Sequence, residues 1–493
     1  MKNPILQCLD QLRSQEPDAT FIKTADFSYS RQSFWNASRS LAVILRQQLK
    51  NLDSDIVAIH DQDPRYFFVY LVGIWMAGFR VLPLNVRMPP QIIENSISNS
   101  SCKVVIGNSL EVPPGIKCRY LAIGQLDEDC QTDFDDHQPE GAIIMLTSGS
   151  TGQPKAIPLT FTQILDNAYL TQEIVGLNRQ DKLLIAMPPC FITGISHFMS
   201  CVVSGARLVS VVGFNFGEQL LKLIDDNAVT AFGGSPTNVR RILGAVKEDT
   251  ALPSLRIWIS SGDHLSRDEQ QYFLDRFSHV RFIYMYGLSE VGGRLCVNDV
   301  RSNPAKLGSP GKPLRGMQVT ALSSEYGSEV APRDMGELNI NGPLLMAGYL
   351  QSSGNIDHSS VQGGFATGDL GYVDADGYVW IAGRTNDVIK VGGEKVSITN
   401  VEDAIRLITD CSDCTVAVID DPNLGKVLIG LVVPDPTGEP FNNLVLFKQL
   451  RGILPPNALP AKVFAIDSVP RTGSGKVSRK DAKDLALALL GSK

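Results

Sequence analysis

Short apolar runs alternate with longer amphipathic stretches between about residues 55 and 290. The runs have no polar face, which is typical of strands that are buried on both faces of a sheet. Helical periodicity separates many of them, as in GEQLLKLIDDN at 217–227 and SRDEQQYFLDRF at 266–277. The alternation predicts an α/β fold. The predicted strands are DIVAIH, FRVLPLN, CKVVIGN, GAIIML, KLLIAM, ARLVSVV, AVTAFGG, LRIWISSG and RFIYMYG.

The pattern changes from about Asn298, where glycine and proline turns separate short alternating strands. This predicts a β-rich subdomain over about 298–385, within a multi-sheet N-terminal domain of residues 1–385. A small α+β domain at 387–493 then begins with a strand, a glycine turn and a strand in VIKVGGEKVS. A capping box from Thr399 to Glu402 starts a helix, and a hairpin and two more helices follow.

Composition and charge narrow the classes of function. The 493 residues predict about two to four folding units. A net charge of -7 argues against a nucleic-acid partner. The N-terminal residues do not resemble a signal peptide, and the apolar stretch at 66–79 is too short to span a bilayer and reads as a buried helix. Nine cysteines, an odd number, favour reduced thiols. We therefore expect a cytoplasmic protein without a membrane span, and the sequence does not indicate its oligomeric state.

Two glycine-rich loops carry a lysine. TSGSTGQPK at 147–155 follows an apolar strand and precedes the helical pattern FTQILDNAYL, so a strand, turn and helix that bind phosphate are predicted. GSGKVS at 473–478 is the second loop. Neither has the Gly-Lys-Ser/Thr end of the common nucleotide loop, because Ala156 and Val477 follow the lysines. Either loop alone is also compatible with a polar surface turn.

Other polar residues in glycine-bounded turns fit a nucleotide and a metal. Tyr286 in YMYGLSE can stack on a base, and Glu290 can hold Mg²⁺ against phosphate oxygens. Asp369 in TGDLGY can accept the ribose hydroxyls, and Arg384 can reach the same sugar or a phosphate. A lone Asp or Arg in a turn is more often a solvated surface charge, so these residues count through their order and spacing together.

The order of these motifs closely resembles the adenylate-forming superfamily, which contains acyl- and aryl-CoA synthetases, peptide-synthetase adenylation domains and firefly luciferase. The resemblance extends from about Asp55 to Asp484. It rests on the segments TSGSTGQPK, YGLSE, GELNINGPLLMAGYL, TGDLGYVDADGYVWIAGR, IKVGGEKV and PRTGSGKVSRKD.

The resemblance implies a two-step reaction in which ATP activates a carboxylic acid as an acyl-adenylate, with pyrophosphate as the second product. A mobile C-terminal domain brings in Lys476 for adenylation and Gly392–Gly393 for thioester formation. Lys476, Glu290 and Thr147 are the implied catalytic residues, and Glu290 and Thr147 are the implied Mg²⁺ ligands. The implied ligands of ATP and of the thiol cofactor are Thr147, Ser148, Gly149, Ser150, Thr151, Gly152, Lys155, Gly262, Asp263, Tyr286, Gly287, Ser289, Asp369, Arg384, Gly392 and Gly393.

Several positions depart from the family pattern. Asn386 stands at the hinge, where Asp or Lys is usual, and Asn tolerates unusual backbone angles. Ile398 and Asn400 replace the usual Pro and acidic residue at the start of the next helix. Asp263 replaces a small residue, and it either accepts the adenine amino group or caps the following turn.

The acid is expected to bind to PPCFITGISHFM, FGGSPT and YGLSEVGGR. Amino-acid-activating domains usually carry Asp at the position of Ile192, so an apolar residue there argues against an α-amino acid. His197 either lines the pocket or is structural, and two adjacent glycines are expected to leave room for a chain or ring. The predicted pocket residues are Phe191, Gly194, His197, Gly233, Gly234, Ser235 and Leu288.

The sequence therefore predicts an AMP-forming ligase that joins an acyl or aryl acid to the thiol of coenzyme A or of a carrier-protein phosphopantetheine arm. Two alternatives stay open at this point. One is a stand-alone amino-acid adenylation domain that loads a carrier protein, and the other is a non-catalytic binding protein on the same fold.

Overall fold

The computed structural model describes residues 3–50, 52–132, 141–148, 154–211, 217–247, 250–323, 327–391, 394–408, 411–421, 425–434, 443–472 and 477–491. The chain divides into two compact units. The first comprises Met1–His264, Gln271–Gln318 and Ile340–Phe365, and the second comprises Leu265–Gln270, Val319–Asn339 and Ala366–Lys493.

The helices in chain order are α1 (Pro4–Gln15), α2 (Arg31–Gln48), α3 (Pro64–Ala77), α4 (Pro90–Asn99), α5 (Phe161–Val175), α6 (Ile192–Ser204), α7 (Gly217–Asp226), α8 (Pro236–Ala245), α9 (Arg267–Arg276), α10 (Ile398–Ile408), α11 (Asn443–Leu450) and α12 (Arg479–Gly491).

The first thirteen strands are β1 (Thr20–Lys23), β2 (Ser28–Ser30), β3 (Ile56–Ile59), β4 (Arg80–Pro83), β5 (Val104–Gly107), β6 (Arg119–Ala122), β7 (Ile143–Ser148), β8 (Pro154–Leu159), β9 (Lys182–Ile185), β10 (Arg207–Ser210), β11 (Ala231–Gly234), β12 (Ile257–Ser261) and β13 (Arg281–Tyr286). The others are β14 (Cys296–Asp299), β15 (Lys312–Pro313), β16 (Gln318–Leu322), β17 (Gly336–Asn341), β18 (Tyr349–Leu350), β19 (Ile356–Asp357), β20 (Phe365–Val373), β21 (Val379–Arg384), β22 (Val388–Val391), β23 (Glu394–Ser397), β24 (Cys411–Asp421), β25 (Gly425–Pro434) and β26 (Lys462–Ala465).

A nine-stranded sheet of the first unit has the order β15-β14-β13-β12-β11-β9-β10-β1-β2. Strands β9 to β13 are parallel, so their carboxyl ends lie at one edge. Ligands of open α/β sheets bind outside this edge. Phe21, Phe34, Phe68 and Phe198 form part of the core, with the rings of Phe68 and Phe198 stacked 4.7 Å apart. The predicted α/β fold class is confirmed.

The apolar stretch at 66–79 forms α3 and the turn that follows it. Asp63 caps α3 by accepting a hydrogen bond from the Arg65 amide at 2.9 Å, and Pro64 occupies the first turn, where its missing N–H costs nothing. Gly78 ends the helix with φ of 90°. Phe67, Val69 and the other apolar residues of α3 are buried, so the predicted buried helix is confirmed.

The second sheet of the first unit has the order β19-β18-β8-β7-β4-β3-β5-β6. At the first lysine loop, the prediction that a glycine turn leads from a strand directly into a helix is wrong. The strand β7 is followed by the antiparallel strand β8, and only then by α5. The loop at 149–153, whose residues lie outside the described part of the chain, therefore joins two strands rather than opening a helix.

The second unit contains a four-stranded sheet in the order β16-β17-β20-β21, the pair β22-β23, and a three-stranded sheet in the order β24-β25-β26. The predicted strand pair over VIKVGGEKVS is confirmed, and so are the hairpin of β24 with β25 and the two later helices. Apolar residues of α10, β24 and β25 form its core, with Val401, Ile405 and Val416 at 0% exposure.

The predicted capping box at Thr399 and Glu402 is wrong. The helix α10 already begins at Ile398, and the Ser397 hydroxyl accepts from the Asn400 amide at 3.3 Å. Glu402 points into the core instead and accepts from the Thr415 hydroxyl and the Val416 amide.

The predicted boundary between residues 385 and 387 stays a prediction. Thr385–Asp387 forms a short 3₁₀ turn, and the Thr385 hydroxyl donates to the Gly368 carbonyl at 3.0 Å. Within the part of the chain that the structure describes, no helix combines the length and the apolar character needed to cross a membrane.

Candidate active site

The first lysine loop is carried by the β7–β8 hairpin. Thr147 and Lys155 are cross-strand partners on this hairpin, so its register places a hydroxyl and an ammonium side by side. The Lys155 ammonium lies 4.6 Å from the centre of the Tyr349 ring. Tyr349 is brought there by β18, which pairs with β8 at Leu350 and Ala156.

Glu290 faces the same tyrosine. It lies on a short 3₁₀ helix, Ser289–Val291, and is 9% exposed. The Tyr349 hydroxyl donates to Glu290 Oε1 at 3.3 Å, and the Met346 amide donates to the Glu290 carbonyl at 2.7 Å. Burial and the nearby Glu290 carboxylate raise the pKa of Tyr349, which keeps it a protonated donor. Tyr349 therefore connects the lysine of the loop to the acidic residue.

The oxygen donors at this corner fit a magnesium ion that arrives with a nucleotide. The 3₁₀ helix of Glu290 lies next to β7, which carries Thr147. Within the described residues, no group of three or more His, Cys, Asp and Glu side chains is arranged to hold a metal. Mg²⁺ in nucleotide sites commonly uses one or two protein ligands, with phosphate oxygens and water completing the shell. A single buried carboxylate beside a hydroxyl suits that mode.

Several residues that were predicted to bind the base and the acid lie at the carboxyl edge of the nine-stranded sheet. Tyr286 ends β13, and Ser261 ends β12. Gly287 is required by close approach, because a Cβ there would lie 1.7 Å from the Gly293 carbonyl oxygen. Leu288 leads into the 3₁₀ helix and accepts at its carbonyl from the Gly293 amide.

Gly262 and Asp263 form the turn after β12. Gly262 has φ of 100°, a left-handed conformation that favours glycine. The Asp263 carboxylate accepts from the His264 amide at 2.8 Å. A bond to the adjacent amide does not distinguish between the two roles that were left open for Asp263, so adenine binding and capping of the following turn both stay predictions.

The loop after β9 leads into α6 through Phe191, which precedes the first helical residue. A Cβ on Gly194 would lie 2.9 Å from Pro189 Cα, so glycine lets the first turn pack on the preceding prolines. Ile192 faces Gly293, since its Cγ1 lies 3.6 Å from the place where a Gly293 Cβ would stand. Phe191 and Ile192 are both half-buried.

His197 is 1% exposed and lies flat against Gly233, where a Cβ would meet three ring atoms at 2.6–3.0 Å. A Cβ on Gly234 would meet the Phe232 ring at 2.4 Å. Protein side chains thus occupy the room that the two glycines were expected to leave. At the start of α8, the Ser235 amide and hydroxyl both donate to the Asn238 side-chain oxygen, at 2.9 and 3.0 Å. Whether the acid lies against these residues stays a prediction.

The sequence did not single out Arg294, which lies behind this edge and is 4% exposed. Its guanidinium donates to the Ser261 hydroxyl at 2.7 Å and to His197 Nε2 at 3.1 Å. Burial and the nearby Arg294 charge hold the pKa of His197 well below its usual value, so the imidazole is neutral. In the sequence, Arg294 ends the glycine-rich stretch GGR, and this pattern does not indicate that the arginine is buried.

Asp369 and Arg384 lie in the second unit as cross-strand partners on β20 and β21. Arg384 Nε lies 3.3 Å from Asp369 Oδ1, with the arginine side chain 57% exposed and the aspartate side chain 8% exposed. The Asp369 amide also donates to the Thr367 hydroxyl at 3.0 Å. The two residues are therefore brought together, as their predicted shared ligand requires.

Other predicted residues of the two lysine loops and of the Gly-Gly turn lie outside the described part of the chain. Of Ser148, the structure describes only its place at the end of β7. The residues outside are Gly149, Ser150, Thr151, Gly152, Gly392, Gly393 and Lys476.

Comparison with known proteins shows two matching families. The AMP-binding enzyme family matches residues 9–350, and the AMP-binding enzyme C-terminal domain matches residues 400–476. A 2-succinylbenzoate–CoA ligase of Bacillus licheniformis is 27% identical over 485 residues, which cover 96% of this chain and 98% of that protein. A feruloyl-CoA synthase of an Amycolatopsis species is 28% identical over 422 residues, covering 84% and 85%.

Solved structures share the fold. The o-succinylbenzoate coenzyme A synthetase MenE of Bacillus subtilis, in complex with AMP, superimposes with a TM-score of 0.83 at 22% identity and covers 98% of each chain. The anthranilate CoA ligase AuaEII, in complex with anthranoyl-AMP, gives 0.84 at 22% identity over 99% of this chain and 98% of that chain.

The predicted two-domain adenylating fold and the predicted AMP-forming acid–thiol ligase activity are confirmed, and neither alternative function is favoured. By its match over residues 9–350, the chain belongs to the family of AMP-binding enzymes.

Proposed function

We propose that the chain joins an aryl carboxylic acid to coenzyme A through an acyl-adenylate, with 2-succinylbenzoate as the first candidate acid. The proposal rests on one observation. Lys155 and Glu290 both contact Tyr349, and Lys155 is the cross-strand partner of Thr147. An ammonium, a hydroxyl and a carboxylate at one corner suit a triphosphate and its metal ion. The ligases of Bacillus licheniformis and Enterococcus faecalis, which act on this acid by name, support the choice of substrate.

The first step forms the adenylate. A carboxylate oxygen of the acid attacks the α-phosphorus of ATP, and the bond from that phosphorus to the bridging oxygen of the β-phosphate breaks. Lys155 holds the departing pyrophosphate, and Lys476 offsets the charge that develops around the α-phosphorus. Mg²⁺ bound by Glu290 and Thr147 supplies further positive charge to the phosphates when it is present.

The second step forms the thioester. The thiol of coenzyme A gives its proton to solvent water, and its sulfur attacks the acyl carbonyl carbon. The bond between that carbon and the phosphate oxygen breaks, and AMP leaves with the bonding electrons on its phosphate. The resemblance to adenylate-forming enzymes assigns Gly392 and Gly393 to the passage of the pantetheine arm. The acid–CoA ligases among the relatives support coenzyme A rather than a carrier protein as the acceptor.

Two further residues are proposed to bind the nucleotide. Tyr286 stacks on adenine, and Asp369 accepts hydrogen bonds from the ribose hydroxyls. Because Arg384 already pairs with Asp369, the ribose binds an aspartate whose orientation is set, and the largely exposed arginine stays available for a phosphate.

An α-amino acid does not suit the proposed pocket. Ile192, which stands where amino-acid-activating domains carry Asp, faces Gly293, the residue before the buried cation Arg294. An ammonium placed here would lose water without gaining a carboxylate partner, at a cost of several kcal/mol.

A second candidate is an aryl acid with one carboxylate, which the similarity to a feruloyl-CoA synthase favours. The two candidates differ in whether the acid carries a second anionic group.

The test is product analysis after incubation with ATP, Mg²⁺, coenzyme A and one acid at a time from a panel of aryl, fatty and amino acids. We expect AMP and an acyl-CoA thioester in equal amounts, with 2-succinylbenzoate giving the highest kcat/KM. Formation of ADP, or a thioester from an amino acid only, would contradict the proposal.

A further inference from the structure

Arg294 is a buried cation whose contacts are all neutral. Burial lowers the pKa of Arg294 to about 10, which leaves the guanidinium charged at neutral pH. Its partners are the Ser261 hydroxyl and the neutral His197 ring, and no carboxylate among the described residues pairs with it. Buried guanidinium groups are normally paired with an anion, because leaving the charge uncompensated is costly.

The loop around Arg294 does not need the guanidinium to hold its shape. The Asn167 amide nitrogen donates to the Arg294 carbonyl at 2.7 Å and to the Val291 carbonyl at 3.0 Å, and its oxygen accepts from the Arg294 amide. Asn167 thus fixes the backbone from α5. Because the backbone does not need this charged side chain, we expect the guanidinium to bind a ligand.

The partners of Arg294 aim it at the region predicted for the acid. Since guanidinium groups only donate, His197 Nε2 must accept and the ring proton lies on Nδ1. His197 lies against Gly233 at the end of β11, and Ser261 ends β12. Gly287 also approaches it, since a Cβ on Gly287 would lie 3.0 Å from Arg294 Cα. All of these residues lie at the carboxyl edge where the acid is proposed to bind.

We infer that Arg294 is the specificity-determining residue of the acid pocket, where its guanidinium binds a second carboxylate on the acid, at the end away from the carboxylate that is adenylated. This inference rests on the proposed function. His197 and Ser261 are positioning residues that hold the fork of the guanidinium toward the acid. The planar fork of arginine suits a carboxylate, and a site built for a charged oxygen rejects analogues that lack it.

The test measures acid-dependent ATP–pyrophosphate exchange with 2-succinylbenzoate and with two truncated acids. 3-Benzoylpropanoate lacks the ring carboxylate, and 2-butanoylbenzoate lacks the chain carboxylate. The truncated acid that still supports exchange identifies the carboxylate that is adenylated. We expect the wild-type enzyme to prefer the diacid over this truncated acid by about 10²-fold or more in kcat/KM.

In Arg294→Gln, we expect kcat/KM for the diacid to fall by about 10²-fold while the value for the active truncated acid changes less than about threefold. Activity on the truncated acid shows that the variant is folded. Arg294→Lys keeps the charge and should recover part of the preference. The matched control is Arg301→Gln, which removes a half-buried arginine whose hydrogen bonds within the described part of the chain go to the backbone carbonyls of residues 274, 277 and 280. It should leave the ratio between the two acids unchanged.

The possible failures are distinguishable. If no aryl acid supports exchange in the wild-type enzyme, the proposed function is wrong. If exchange is supported but the truncated acid is used as well as the diacid, the inference about Arg294 is wrong while the function stands. Equal loss for both acids in Arg294→Gln would assign Arg294 a structural role and would also overturn the inference.

Discussion

Tyr349 lies between two residues of opposite charge, Lys155 and Glu290, which are proposed to bind the same nucleotide. Its ring faces Lys155 and its hydroxyl faces Glu290, so both side chains are held in place before a nucleotide arrives. Positioned charge is most effective in catalysis when it needs no rearrangement during the reaction. The order of motifs along the chain indicated Lys155 and Glu290 but not the tyrosine that joins them, because the pairing of β18 with β8 is a tertiary contact.

Glu290→Gln tests the proposed metal site. The amide is close in shape but carries no charge, so we expect kcat/KM for adenylation to fall by about 10²-fold and half-saturation by Mg²⁺ to need a higher concentration. The measurement is pyrophosphate exchange as a function of Mg²⁺ concentration. Tyr349→Phe is the comparison, because it removes only the hydrogen bond to Glu290 and leaves the carboxylate intact, so its effect on the Mg²⁺ dependence should be smaller. An unchanged Mg²⁺ dependence in Glu290→Gln would exclude a role in metal binding.

Asp61 is a buried carboxylate away from the proposed chemistry. It follows β3, is 5% exposed, and accepts from the Asp63 amide at 2.8 Å. Burial raises the pKa of Asp61 from 3.8 to about 6, helped by the Asp63 charge and opposed by backbone hydrogen bonds. Because the folded pKa is above the unfolded one, the contribution of Asp61 to stability is fully present below about pH 4 and is lost as the pH rises to 6.

Asp61→Asn should therefore stabilise the protein at neutral pH only. A rise of two pKa units corresponds to about 3 kcal/mol at most, so we expect a gain of about 1–3 kcal/mol at pH 7 that disappears near pH 4. Urea unfolding at both pH values measures it. Asp26→Asn, at an exposed aspartate, should give no such gain. A pH-independent difference for Asp61→Asn would contradict the assignment.

At the scale of elements, the sequence predicted most strands and helices because their apolar periodicity is strong. It missed β8, which has prolines at positions 154 and 158 and therefore does not read as a strand. The strand is tolerated because it pairs along β7 but meets β18 only near Ala156. The missed strand changes the site, since the hairpin register, rather than a helix N-terminus, places Lys155 beside Thr147.

A half-buried arginine, Arg479, forms ion pairs shortly after the C-terminal lysine loop. Arg479, three residues after Lys476, contacts Asp387, with Nε 3.3 Å from Oδ1, and also pairs with the buried Glu402 of α10. The loop ends are held together by a bridge between Arg471 and Val477. Arg479 therefore connects the residue after Asn386, the core helix α10 and the end of the lysine loop.

Arg479→Gln should slow adenylation more than thioester transfer. We expect at least about a tenfold loss of adenylation rate, because a displaced Lys476 no longer meets the α-phosphate, and less than about a threefold change in transfer from a pre-made acyl-adenylate. Lys483→Gln, on the same helix and paired at the surface with Asp420, is the control and should change neither step. Equal loss in both half-reactions would mean that Arg479 only stabilises the fold.

At the scale of the whole molecule, the two-domain architecture was accessible from the sequence because the motifs occur in family order. The hinge at Asn386 stays a prediction, because hinging depends on motion between separately folded parts. In the structure, residues 319–339 and 366–385 group with the C-terminal residues, so the limit of a compact unit does not coincide with the predicted hinge at Asn386.

Lys476→Ala tests the division of labour between the two half-reactions. Loss of one positioned charge should slow adenylation by about 10²–10³-fold. Transfer from a pre-made acyl-adenylate to coenzyme A should continue at nearly the wild-type rate, because Lys476 is proposed to act in the first step only. Rapid-quench measurement of each half-reaction separates the two. Similar losses in both steps would contradict a separate adenylation pose.

The most direct test of the central claim is ATP–pyrophosphate exchange by the wild-type protein with 2-succinylbenzoate and without coenzyme A. If an acyl-adenylate forms before any thiol binds, labelled pyrophosphate should exchange rapidly into ATP. This exchange should require both Mg²⁺ and the acid. Exchange that is absent without coenzyme A, or that is independent of the acid, would contradict an acyl-adenylate intermediate.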